Sequence, residues 1–260
     1  MLVIVEENRE YGDVIGSSDA PYVNSLAQKY GLATSWYGVS HPSLPNYLAM
    51  ISGSTQGVTD DGTGYVFPGP TLADQLAAKG VSWKAYMEDM PSPCFTGASS
   101  SGYAKKHDPF MYFSSITSSP SQCARVVPFT QFGADVSGGS LPSFAFVSPN
   151  LCNDGHDCNN ATMDGWLQSH LPPVLGSTWF AQGGVVVLTW DEGSSSAGCC
   201  SGSAGGHIPM IVVAHDNGSA HQLSTNGDHY GMLRAIADAY GVSALGSAAA
   251  GGHGTLRTLF

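Results

Sequence analysis

Charge is what this sequence has least of. Only 11% of its 260 residues are Asp, Glu, Lys or Arg, where soluble domains carry about 25%. Cations are scarcer still: nine Lys plus Arg stand against 20 Asp plus Glu, a formal net charge of -11. That shortage argues against a nucleic-acid partner, whose affinity comes from a basic surface that neutralises phosphates. It also disfavours electrostatic docking on an anionic membrane. No apolar run approaches the ~18 residues of a membrane-spanning helix. Paired CxxC motifs are missing, which argues against structural zinc. No repeat or linker divides the chain, and its length is short for two α/β domains. One domain over residues 1–260 is the expectation.

What is present fills the gap in a consistent way. The 33 glycines and 15 prolines point to long ordered loops, and a hydrophobic fraction of 42% supports a packed core. Six cysteines argue for an oxidising compartment. No leader opens the sequence, so the expectation is a mature secreted or periplasmic protein whose leader was replaced by Met1. Cys152 and Cys158 bracket a short loop, and Cys94 and Cys123 a longer one. Cys199 and Cys200 are adjacent, and either bond each other or find separate partners.

Short apolar runs alternate with helical patterns. Strands are read at 2–5, 34–39, 82–87, 143–147, 185–190 and 209–214. Apolar residues at helical spacing place helices at 23–30, stopped by Gly31, and at 45–51, entered through Ser43. Further helices are read behind the cap Thr71, at 163–171, and at 230–240, stopped by Gly241. Strands apolar on both faces, alternating with helices, indicate an α/β fold with a mostly parallel central sheet and helices on both faces. Residues 91–142 break the rhythm as an irregular insertion. Residues 193–206 read as a flexible flap, or as a loop held by Cys199 and Cys200.

Ligand sites in such sheets lie beyond the carboxyl ends of the strands. Glu7-Asn8, His41-Pro42-Ser43, Glu88-Asp89, Asp154-Gly155-His156-Asp157 and Asp191-Glu192 all follow strands. A chain with few acids has concentrated them there, which suggests a metal site. Ser43 is also a plausible helix N-cap, and the two roles agree: a hydroxyl at a helix N-terminus sits among free N–H groups that suit a phosphoryl group.

These segments resemble the bacterial acid phosphatase and phospholipase C phosphoesterase family. The resemblance rests on Glu7-Asn8, on His41-Pro42-Ser43-Leu44-Pro45-Asn46-Tyr47, on Lys106-His107-Asp108-Pro109-Phe110, on Pro149-Asn150 through Asp157, and on Thr189-Trp190-Asp191-Glu192-Gly193. The second segment is also similar to the nucleophile segment of nucleotide pyrophosphatases, within the wider alkaline phosphatase superfamily. The resemblance implies an alkaline phosphatase-like fold and a divalent metal held by Glu7, Asn8, Ser43, Asp191 and Glu192. It implies a serine nucleophile, Ser43, with His107 and His156 near the phosphate and leaving group. His41, Asn46, Asp154 and His207 are placed around the substrate, with Asp154 also a candidate for a second metal. Glu192 stands where some relatives have aspartate.

The expected reaction is hydrolysis of phosphate monoesters through a phosphoserine. Oxygen ligands favour Ca²⁺ or Mg²⁺, and zinc enters if histidines join. The substrate is a small phosphate ester or a phospholipid headgroup. One rival is a phospholipase C or other phosphodiesterase, with residues 110–113 as a lipid-facing surface. The other is a metal-free carboxylesterase using Ser43, His156 and Asp154, although Ser43 lacks a Gly-x-Ser-x-Gly elbow.

Overall fold

The structure, a computed structural model, describes residues 1–215 and 221–260. Its strands are β1 (Leu2–Glu6), β2 (Gly31–Tyr37), β3 (Trp83–Met87), β4 (Ser99–Ser100), β5 (Tyr103–Ala104), β6 (Val126–Pro128), β7 (Phe144–Ser148), β8 (Val185–Trp190), β9 (His207–Ala214), β10 (His221–Leu223) and β11 (Gly227–Asp228). The main sheet runs β10-β2-β9-β8-β1-β7-β3-β6, with β11 also beside β2, and β4 pairs β5 separately. All pairings in the main sheet are parallel except those of β9, which is antiparallel to β2 and β8. This is the mostly parallel α/β sheet the apolar runs imply. β9 therefore starts where the parallel strands end. Its first residue, His207, lies at the edge where its neighbours end.

β1 is buried along its whole length, as expected of a central parallel strand. Helices flank the sheet in two groups. Pro21–Lys29 packs with Asn160–Leu175, and Ser43–Ser52 packs with His229–Tyr240. Local chemistry sets their ends. Thr71 and Asp74 form a reciprocal capping box ahead of the helix Leu72–Ala78. Asp228 caps His229–Tyr240 by accepting from Tyr230 N and Gly231 N, and Gly241 ends that helix at φ 62°.

Three boundaries differ from the sequence reading. The strand expected over 34–39 starts at Gly31, which opens it instead of merely stopping a helix. A Cβ on Gly31 would stand 3.2 Å from the Leu259 side chain and from Val212 O, so packing explains the glycine. The helix expected over 163–171 runs Asn160–Leu175, through Pro172 and Pro173. The insertion at 91–142 is not wholly irregular, for it contributes β6 to the edge of the main sheet.

Cysteines pair as Cys94–Cys123, Cys152–Cys158 and Cys199–Cys200. Residues 193–206 form a loop rather than a free flap. Gly193 N donates to Gly205 O at 2.7 Å, Ala204 N to Val39 O at 3.0 Å, and Gly205 N to Gly38 O at 3.0 Å. Among the described residues no helix is long and apolar enough to cross a membrane.

Candidate active site

The site is built where β1, β7 and β8 end. Beyond β1, Glu7 N donates to Asp154 O at 2.9 Å, and Asp191 N donates to Glu6 O at 2.9 Å. These bonds extend the sheet by one step and set Glu7, Asp154 and Asp191 side by side. Asn8 has φ 53°, a left-handed conformation that Asn tolerates better than most residues. Its amide thereby donates to Asp191 Oδ1 at 3.2 Å. Arg9 ties down the loop that carries Asp154 and His156, donating to Gly155 O at 2.7 Å and Cys158 O at 2.8 Å.

Ser43 is the first residue of the helix Ser43–Ser52 and is buried. Its Oγ donates to Glu7 Oε2 at 3.0 Å and stands 3.5 Å from Glu192 Oε1. One turn later on the same face, Tyr47 OH donates to Glu7 Oε1 at 2.7 Å. His107 ends the turn Lys105–His107. Its Nε2 is 3.2 Å from Glu7 Oε1 and its Nδ1 is 3.2 Å from Asp154 Oδ2, and its ring stacks on Tyr47 with centroids 5.2 Å apart.

The electrostatics of this cluster are lopsided. Burial, then the charges of Asp191 and Asp154, pushes the Glu7 carboxyl well above its usual range. Burial and Glu192 do the same to Asp191. Burial raises Asp154 to about 7, and burial and Asp61 raise Glu192 to about 7. Burial, then Lys106 and His156, drives His107 well below the usual histidine range. Glu7, Asp154 and Asp191 are fully buried, and His107 Nε2, Asp154 Oδ2 and Asp191 Oδ2 have no hydrogen-bond partner. Buried, unpaired polar atoms are costly. A cation among these oxygens would remove both the repulsion and the orphaned atoms, so the residues present fit a divalent metal. Ligand atoms of Glu7, His107 and Asp154 all lie within 4.8 Å of one another.

Of the residues singled out from sequence, Glu7, Asn8, Ser43, His107, Asp154, Asp191 and Glu192 converge here. His41 and His156 sit at the rim. His41 Nδ1 bonds Glu192 Oε2, and its Nε2 lies 2.9 Å from Ser195 O, linking the 193–206 loop to the acids. His156 Nδ1 is 2.7 Å from Asp157 Oδ1, and its Nε2 is 3.1 Å from Lys106 Nζ. Two expectations need correction. Asn46 is buried and fully spent on the loop before Ser43. Its Oδ1 accepts from Val39 N and Ser40 N, and its Nδ2 donates to Ser40 O and Pro42 O. It shapes the approach to Ser43 and has no capacity left for substrate. His207 reaches the correct sheet edge, but its ring is stacked between Tyr11 and Tyr37 and its Nε2 faces Thr34 O at 3.0 Å.

Sequence reasoning gave no role to Tyr47, Lys106, Asp61 or His229. Tyr47 was detectable, since it lies four residues after Ser43 on a helix and must share its face. His229 Nε2 contacts Asp191 O at 2.5 Å, and nothing local signals it. The loop Phe110–Phe113 is buried core, which removes the lipid-facing surface offered for a phospholipase. The carboxylesterase triad also fails: His156 pairs with Asp157 and Lys106, not with Ser43. A cavity of about 570 Å³ opens between the helices Phe132–Ser137 and Asn160–Leu175, but none of the clustered residues lines it.

Comparison with known proteins agrees with this geometry. The family model described as "Phosphoesterase family" matches residues 16–243, a span that includes Ser43, His107, Asp154 and Asp191. The chain is 33% identical over 252 residues to the phosphatidylinositol-3-phosphatase of Mycobacterium tuberculosis, covering 95% of this chain and 79% of that protein. It is 32% identical over 251 residues to an acid phosphatase of Aspergillus fumigatus, covering 92% of this chain and 54% of that one. The chain thus spans about half the length of that fungal relative. Among solved structures, an alkaline phosphatase superfamily protein from Vibrio parahaemolyticus superposes with a TM-score of 0.63 at 14% identity, over 93% of this chain and 66% of that one. That likeness concerns the fold.

Proposed function

The chain belongs to the phosphoesterase family, and from that premise we propose that it hydrolyses phosphate monoesters with Ser43 as the nucleophile. One observation carries the reading. A buried serine hydroxyl opens a helix and lies 3.0 Å from a carboxylate in a cluster of acids with orphaned oxygens. Glu7, Asn8, Ser43, Asp191 and Glu192 would hold a divalent ion, with Mg²⁺ or Ca²⁺ favoured by the oxygen donors. Bound there, the ion would polarise the phosphoryl group and lower the pKa of the Ser43 hydroxyl.

The chain's own residues do the rest. Glu7 Oε2 accepts from Ser43 Oγ and orients it for attack. Ser43 Oγ passes its proton to Glu7 Oε2 and bonds to phosphorus as the ester oxygen leaves. Water then cleaves the phosphoserine to release inorganic phosphate. His107 lies between the Glu7 and Asp154 carboxyls, 3.2 Å from each, and sets their spacing. At the rim Lys106 Nζ stands 3.1 Å from His156 Nε2, and this pair would supply the proton taken up by the leaving alkoxide. The two steps depend mainly on positioning and charge, which suits a site assembled from rigid strand ends. The mycobacterial relative is named a phosphatidylinositol-3-phosphatase, and a small phosphate ester or a phospholipid headgroup is the substrate class proposed here. The three disulfides support placement in a secreted or periplasmic setting.

Hydrolysis of p-nitrophenyl phosphate and of bis-p-nitrophenyl phosphate, before and after chelation and with metal restored, tests the proposal. Monoester turnover that is lost on chelation and regained with a divalent ion is expected. A faster diester would reassign the enzyme as a phosphodiesterase. Cleavage of p-nitrophenyl acetate alone, in chelator, would refute it.

A further inference from the structure

One anion in the cluster is not accounted for by the reaction. Asp61 lies in the connection between the helices Ser43–Ser52 and Leu72–Ala78, a segment with no regular element beyond an isolated bridge at Phe67. Its Oδ1 accepts from Leu44 N at 3.0 Å, and its Oδ2 accepts from Lys106 Nζ at 3.1 Å. Leu44 follows the nucleophile, so its amide belongs to the free N–H groups of the first helical turn. A helix amide and an ammonium are the donors that an oxyanion takes at a helix N-terminus. Here a carboxylate from the chain has taken both.

Asp191 Oδ2, in the same acid cluster, is buried with no hydrogen-bond partner. Lys106 holds a second contact at 3.1 Å to His156 Nε2, so it remains in the site when Asp61 leaves. Asp61 is free to leave in a way that the Leu44 amide is not. Its side chain is 30% exposed, and its connection lies outside the regular elements, tied down by a Lys105 Nζ bond to Thr63 O at 2.9 Å and by the Phe67 bridge, where Phe67 N donates to Tyr112 O at 2.7 Å. Asp60 braces the next turn internally, accepting from Gly62 N at 2.8 Å and Tyr65 OH at 2.9 Å.

We propose that Asp61 occupies the seat of a phosphate oxygen in the resting enzyme. The phosphate of substrate or product displaces it and takes over the Leu44 amide and the Lys106 ammonium. This rests on Ser43 being the nucleophile of a phosphoester hydrolase. Asp61 is then an internal competitor that weakens phosphate binding and speeds its release. The opposite role is also definite. If Asp61 instead positions Lys106 for substrate, its removal must weaken binding.

Calorimetric titration of inorganic phosphate into the metal-loaded protein separates the two. Asp61→Asn keeps an oxygen for Leu44 N and removes the charge that holds Lys106. A self-competing carboxylate lowers apparent affinity by the fraction of time it occupies the seat, so the phosphate Kd is expected to fall about tenfold in Asp61→Asn. KM for an aryl phosphate is expected to fall in parallel, with a smaller change in kcat. Asp61→Ser, which removes both contacts, serves as the second variant and is expected to shift the same way. Lys106→Met is expected to raise the phosphate Kd. Phosphate binding that is unchanged or weaker in both Asp61 variants would overturn the inference. A wild-type enzyme that turns over aryl phosphate while the variants bind phosphate no better would isolate that failure from the Ser43 reading. Absence of any phosphoester turnover by the wild type would instead remove the premise.

Discussion

Replacing Tyr47 with Phe deletes one hydroxyl from the centre of the acid cluster and little else. The ring is fully buried, stacked on His107 and edge-on to Phe146, so packing is preserved. The lost bond is the 2.7 Å donation to Glu7 Oε1. Hydrogen bonds to charged groups contribute about 1.5–3 kcal/mol, and each 1.4 kcal/mol or so is about tenfold in an equilibrium. Two effects oppose each other. A less solvated Glu7 carboxylate attracts a cation more strongly, but it also attracts a proton more strongly. Burial, with Asp191 and Asp154, already holds the Glu7 carboxyl well above its usual range, and Tyr47 is a contact that lowers it. The proton therefore gains more than the metal. Loss of groups that orient metal ligands typically costs about 10–100-fold in affinity. Activity measured against added Mg²⁺ or Ca²⁺ after chelation should show a half-saturating concentration about 10–100-fold higher in Tyr47→Phe. Most of kcat should return at saturation, and the deficit should grow as pH falls. A metal requirement within twofold of wild type would refute the reasoning, as would kcat lost with no change in that requirement.

Other expectations follow from single contacts. Ser43→Ala should lower kcat by about 10³-fold or more while the protein stays folded, since loss of an attacking group leaves only the surrounding electrostatics to act; near-normal single-turnover rates would count against the nucleophile. Burial alone would raise the Asp135 carboxyl, but bonds from Lys84, Tyr86 and Ser140 hold it below its usual range. A depressed folded pKa contributes stability above the unfolded value of about 3.9 and loses it as pH falls further. The melting-temperature advantage of wild type over Asp135→Asn should therefore be full near about pH 6 and shrink below about pH 4. A gap independent of pH would show that the carboxylate charge is not the source. Replacing Cys94 and Cys123 with serine opens a connection with a sequence separation of 29 residues, for which loop entropy gives about 3–4 kcal/mol. Denaturant unfolding should show that loss, and an unchanged midpoint would refute it.

The fold was legible because its strands are apolar on both faces and its acids follow them. β1, β8 and the helix ending at Gly241 could be read almost to the residue. β6 could not, since three residues of an edge strand carry no period of their own. The same logic found Glu7, Asp154, Asp191 and Glu192, because a parallel sheet puts every strand's carboxyl end at one edge. His207 was placed near the substrate by the resemblance, and the reversal of β9 does bring it to that edge, yet its ring turned between two tyrosines, a choice made by packing and not by position. Asn46 sits in the nucleophile segment and was assigned to substrate on the resemblance of that segment. Its amide had a nearer task in the loop before Ser43. Asp61 and Lys106 meet only through the tertiary fold, 45 residues apart in the chain, and neither segment has a pattern that announces the other.

The central claim is a double displacement at phosphorus through Ser43. Its most direct test is the stereochemical course of hydrolysis of a phosphate monoester made chiral with oxygen isotopes. Two in-line steps, first on Ser43 and then by water, give net retention of configuration, the result expected here. Net inversion would mean that water attacks the substrate directly, and would contradict the account.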